Sequence, residues 1–122
     1  MAEWIGVDLD GTLAEYHGWN GPCYIGDPIP TMVKRVKEWL KAGIEVRIFT
    51  ARASLQGENK HRSVKAIRRW CWFNIGQSLR VTCKKDFECR QIWDDRAVQV
   101  EYNTGMPICR PEEVRPCGTI RR

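Results

Sequence analysis

Two short apolar runs, each cut off by aspartates, constrain this chain more than any other feature. Trp4-Ile5-Gly6-Val7 stops at Asp8-Leu9-Asp10, and Gln91-Ile92-Trp93 stops at Asp94-Asp95. The first run has no polar alternation and reads as a buried strand, and the second reads as a short strand. An ionised carboxylate cannot follow either into the interior without a partner, because burying an isolated charge is prohibitive. Each strand must therefore surface at its carboxyl end. Between them the hydrophobic period lengthens. Val33, Val36 and Leu40 recur at helical spacing in a segment that starts near Pro30 or Thr31 and stops at Gly43. Residues 44–49 form the next predicted strand, with β-branched Ile44, Val46 and Ile48. Val64, Ile67, Cys71 and Ile75 make the apolar stripe of a second predicted helix over residues 58–75. Residues 79–83 read as a third strand, 91–93 as a fourth, and Val98 with Val100 suggests one more.

This order of strand, loop, helix, strand, helix, strand, strand predicts an α/β fold with a mainly parallel sheet flanked by helices. In such sheets ligands bind beyond the carboxyl ends of the strands. The sharpest polar residues fall at those ends: Asp8 and Asp10 after the first strand, Thr50 after the second, Asp94 and Asp95 after the fourth. Asp8 and Asp10, two residues apart, point to one face if the chain stays extended. Acids gathered at one sheet edge repel, and their pKa values rise unless a cation sits among them. Magnesium suits the place, since it takes hard oxygen ligands and keeps positions open for water or phosphate. Carboxylates, magnesium and basic residues together equip a site for phosphoryl transfer.

The 122 residues fit one domain, with no internal repeat and no linker. Twenty Lys and Arg against 15 Asp and Glu leave a net charge of +5, which favours polyanionic partners. No stretch approaches the roughly 20 apolar residues of a membrane span, and Met1 is followed by Ala2-Glu3-Trp4 rather than a secretory leader. A cytoplasmic address and no membrane partner follow as expectations. The six cysteines form no CxxC pair and read as reduced thiols, with Cys71 and Cys83 as small core residues. Cys109 and Cys117 match no zinc-ligand spacing. Trp70, Trp72 and Phe73 are expected in or near the core, and His17 and His61 are not expected to ligate a hard metal.

The polar residues also resemble the motifs of the haloacid dehalogenase superfamily. Asp8-Leu9-Asp10-Gly11-Thr12 looks like its first motif, Thr50 like its second, a lysine at Lys84 or Lys85 like its third, and Asp94-Asp95 like its fourth, in the family's order from about Trp4 to Gly105. The resemblance implies a Rossmann-like three-layer sandwich and a phosphomonoester hydrolase working through an aspartyl-phosphate. By that resemblance Asp8 is the nucleophile and Asp10 the acid/base. Thr50, with Ala51 and Arg52 beside it, holds phosphoryl oxygens, although Arg52 is equally placed for a surface salt bridge. Lys85, favoured over Lys84 and over Lys60, is the catalytic cation. Asp8, Asp10 through its main-chain carbonyl, and Asp94 hold Mg2+, Asp95 holds it too or orients its waters, and Gly11 and Thr12 shape the turn.

The resemblance also bears on the substrate. Residues 13–29 leave room for a flap and residues 105–122 for an irregular tail, but no full cap domain fits. The chain is similar in size to small bacterial and phage members and to the phosphatase half of polynucleotide kinase-phosphatases. An open site accepts either a phosphorylated small molecule or a nucleotide or nucleic-acid end. Lys60, Arg62, Lys65, Arg68 and Arg69 lie largely off the second helix's apolar stripe and suit a phosphate backbone or plain solvent. A non-catalytic phosphate- or nucleic-acid-binding module on the same fold is the alternative.

Overall fold

A computed structural model describes residues 3–108. The elements run β1 (Trp4–Val7), α1 (Pro30–Lys41), β2 (Glu45–Phe49), a 3-10 turn (Ala51–Ser54), α2 (Gly57–Ile75), β3 (Arg80–Thr82) and β4 (Cys89–Trp93). The four strands pair in parallel in the order β3-β2-β1-β4. This is the expected α/β, Rossmann-like class. Central β1 is buried along its whole length, which accounts for its unbroken apolar run.

The side-chain period of two divides the sheet into unlike faces. Ile5, Val7, Val46 and Ile48 point to one face and join Met32, Val33 and Val36 of α1 and Ile67, Cys71 and Ile75 of α2 in one core. The β1-α1-β2 and β2-α2-β3 crossovers step in the same direction, so right-handed connections set both helices on that face. No helix covers the other face among the described residues. There Trp4 packs against Phe49 with ring centroids 6.4 Å apart, and the Arg47 guanidinium lies 4.4 Å over the Trp4 ring. Asp86, on the connection between β3 and β4, ties this face together. It accepts the Trp4 indole N–H at 2.8 Å and an Arg47 N–H at 3.3 Å.

Pro30 opens α1, where a missing N–H costs nothing, and Gly76 closes α2 in the left-handed conformation. The α2 stripe is offset from the one expected at its amino end: Ser63 is fully buried, while Val64 is half-buried. Ser63, Ile67, Cys71 and Ile75 form one ridge of every fourth residue, and the ridge rather than the apolar character of each position selects what faces the sheet. The Ser63 hydroxyl finds no hydrogen-bond partner there among the described residues.

Several other expectations are corrected. Val98 and Val100 form no strand; Val100 makes an isolated bridge to Pro107, and both side chains are exposed. Trp72 and Phe73 lie off the buried ridge and are 63% and 80% exposed, while Trp70 is half-buried against the core. Cys83 lies just past β3 and is exposed. Cys71 is buried as expected, and burial pushes its thiol up to about 12. Cys23, Cys71, Cys83 and Cys89 are all free thiols, whereas Cys109 and Cys117 lie outside the described residues. No helix among the described residues is long and apolar enough to cross a membrane.

Candidate active site

The carboxyl edge of β1 turns sharply as soon as it leaves the sheet. Asp8 still donates its N–H to Trp93 O at 2.9 Å, which fixes it beside the end of β4. The Leu9 carbonyl then gathers the N–H groups of Thr12, Leu13 and Ala14, with Leu9 and Leu13 fully buried as anchors. The turn brings Gly11 against Asp95. Its φ is +92°, and a Cβ there would come within 2.8 Å of Asp95 Oδ2. Glycine is thus required twice, by the left-handed backbone and by the approach of the carboxylate. Residues 13–29 leave the turn as an irregular segment, hereafter the flap. Its base is closed by Glu15 N–H to Asp27 O and Ile29 N–H to Leu13 O, both at 2.8 Å.

Asp8, Asp94 and Asp95 converge at this edge, each offering a carboxylate oxygen within 4.8 Å of the others. The Thr12 hydroxyl lies 3.3 Å from Asp8 Oδ2 and 3.0 Å from Asp95 Oδ1, and accepts the Asp95 N–H at 3.0 Å. A hydroxyl has one hydrogen, so it cannot serve both acids at once. The half-buried Asp8 carboxyl is pushed up to about 8, first by burial, then by the Asp94 charge, and then by the hydrogen bond and charge of Asp95. Three hard oxygens competing for one proton fit a divalent cation in chemistry and in spacing.

Asp10 has a different partner. Arg52 Nε and Nη2 each donate to one of its oxygens at 2.8 Å, a bidentate pair whose Arg52 member is 5% exposed. Arg52 also donates to Pro22 O at 3.3 Å and stacks its guanidinium 5.0 Å over Trp19. One buried arginine therefore links the β1 turn, the 3-10 turn and the flap. Thr50 sits at the end of β2, its N–H donating to Thr82 O at 2.9 Å and its hydroxyl accepting the Arg52 N–H at 3.1 Å. Thr50 is thus the N-cap of the 3-10 turn.

These groups open onto a cavity of about 550 Å³. Asp8, Asp10, Thr50, Arg52 and Asp94 contribute its polar wall, and Tyr16, Trp19, Phe49, Ala51 and Leu55 its more apolar wall. The expected lysines do not line it. Lys84 and Lys85 are both exposed on the connection that leaves Thr82, beside Thr50, and returns to Cys89, beside Trp4. The six-residue connection starts at the carboxyl edge, where Cys83 lines the cavity, and ends at the amino edge of β4. Lys60 is exposed on α2. The cations that line the cavity are Arg52 and Arg96. Sequence reasoning placed Arg52 beside the site without its partner. It missed Tyr16, Trp19 and Arg96, for which only the proximity of Arg96 to Asp94 gave any signal.

No protein-family model and no curated protein matches the chain. Among solved structures, a conserved protein from Bacteroides thetaiotaomicron is similar, with a TM-score of 0.56 and 23% identity over 80% of this chain and 79% of that one. Likeness at that identity speaks to the fold alone.

Proposed function

We propose that the protein is a magnesium-dependent phosphomonoesterase in which Asp8 is the nucleophile. The observation that carries this reading is the meeting of Asp8, Asp94 and Asp95 at the carboxyl edge of a parallel sheet, in front of a cavity that also holds Thr50 and Arg52. The motif resemblance to the haloacid dehalogenase superfamily supports it. Asp8, Asp94 and Asp95 would hold the ion, which would offset their charge and polarise a phosphoryl oxygen. An Asp8 oxygen bonds to phosphorus as the ester P–O bond breaks, and water then cleaves the aspartyl-phosphate. The Thr50 hydroxyl orients a phosphoryl oxygen. Arg52 exchanges Asp10 for the incoming phosphate, since both are bidentate partners for a guanidinium. The exchange frees the Asp10 carboxylate, which takes up a proton from solvent, passes it to the leaving oxygen and then takes one from the attacking water.

The same Arg52–Asp10 pair favours a second reading. If it holds when phosphate is bound, Asp10 has no proton to move, and the site is a phosphate-binding module. Turnover of p-nitrophenyl phosphate separates the two. The enzyme reading expects magnesium-dependent hydrolysis that Asp8→Asn abolishes, with the far-UV circular dichroism unchanged. Wild-type turnover in excess chelator, or in the variant, would overturn it; phosphate binding without turnover would select the module.

A further inference from the structure

We propose that a second groove, between α2 and the flap, binds single-stranded nucleic acid. Arg62, Lys65 and Arg69 line this cavity of about 530 Å³ with no acidic residue among its lining groups. Spacings of three and four residues set the three cations on one side of α2, about 4.5 and 6 Å apart along the axis. Arg68, next in the chain, turns instead to Ser78 Oγ at 3.2 Å and takes no part.

Cations alone describe any anion-binding face, but the aromatic rings narrow the partner. Phe73 lines the groove at 80% exposure, an apolar ring that the fold leaves in water. Trp70 forms the wall beside it, held in place by its indole N–H donating to Gly26 O at 3.0 Å. That bond pins the flap to α2, so Ile25 and Cys23 close the opposite side of the groove. A row of positive charge beside an exposed flat ring is what an unpaired strand requires: phosphates for the cations and an unstacked base for the ring. A duplex keeps its bases stacked and offers the ring nothing, and an acidic peptide offers only charge. The same flap contributes Tyr16 and Trp19 to the first cavity. A strand in this groove would thus lie along the flap that walls the Asp8 site, and a terminal phosphate on such a strand would be the matching substrate.

The test keeps binding apart from the Asp8 chemistry. Fluorescence anisotropy of a labelled oligothymidylate without terminal phosphate, in chelator, is followed as salt is raised. Three phosphate contacts give a log–log salt slope of about −2. Replacing Arg62, Lys65 and Arg69 together by Gln should remove that slope. Phe73→Ala should weaken binding about tenfold with the slope unchanged, since stacking does not release counterions. All four side chains are exposed, and an unfolding curve of each variant checks that it folds. Oligoglutamate and a duplex of equal charge should each displace the strand about tenfold less well than unlabelled oligothymidylate, since they reach the cations but not the ring. Wild-type binding without salt dependence, a triple variant that binds like wild type, or an unaffected Phe73→Ala each overturns the proposal. So does equal displacement by oligoglutamate or duplex.

Discussion

Replacing Asp8 by Asn should stabilise the metal-free protein while removing its proposed chemistry. The Asp8 carboxyl is pushed from 3.8 up to about 8 in the fold, with burial as the first cause and Asp94 the next. Between those values the native state holds a proton that the unfolded chain has released. Stability must therefore fall as pH rises, by about 1.4 kcal/mol per pH unit for one group. From pH 5 to pH 7 the loss is about 3 kcal/mol. Asp86 has the opposite sign: the Trp4 indole N–H holds it below the ordinary carboxylate range, so its contribution is lost only as pH falls below about 4, outside this interval. Asn keeps the shape of Asp8 but cannot ionise. The variant should hold nearly constant stability across the interval and exceed wild type by about 4 kcal/mol at pH 7, because the loss begins at the unfolded value of 3.8. The assay is urea unfolding in chelator at pH 5, 6 and 7, read by tryptophan fluorescence. Adding magnesium should narrow the difference, because only wild type has the full acid set. Wild-type stability that stays level or rises from pH 5 to pH 7, or a variant no more stable at pH 7, would refute the crowding of charge at this edge.

Other outcomes follow from the same geometry. Lys84→Ala and Lys85→Ala should each leave phosphatase turnover within about threefold of wild type, whereas Arg52→Ala should lower it about a hundredfold; steady-state kinetics decide, and a hundredfold loss from Lys85→Ala alone would return the catalytic cation to the lysine. Asp94→Ala should weaken magnesium binding more than Asp95→Ala, because Asp94 is half-buried and is the strongest charge acting on Asp8 while Asp95 is exposed; isothermal titration with magnesium measures the order. Ser63→Ala should raise stability by about 1 kcal/mol, since it removes a fully buried hydroxyl with no partner among the described residues, and thermal unfolding reads the gain.

What the amino-acid sequence determined by itself is local. The unbroken run at Trp4–Val7 could only be an interior strand, and Pro30 and Gly76 bound their helices through backbone chemistry that needs no neighbour. The acids at Asp8, Asp10, Asp94 and Asp95 were legible as strand ends because a charge must leave the core where the strand does. Which acids meet was a tertiary matter. Asp8 joined Asp94 and Asp95 because β1 and β4 are neighbours, whereas Asp10 was taken by Arg52 across the start of the 3-10 turn. Where Lys84 and Lys85 lie was also a tertiary matter: their distance from Asp94 along the chain does not reveal that both are exposed on the short connection between β3 and β4. The offset that buried Ser63 and left Phe73 in water has the same origin. A hydrophobic pattern ranks residues by composition, but the angle at which α2 crosses the sheet decides which ridge is covered.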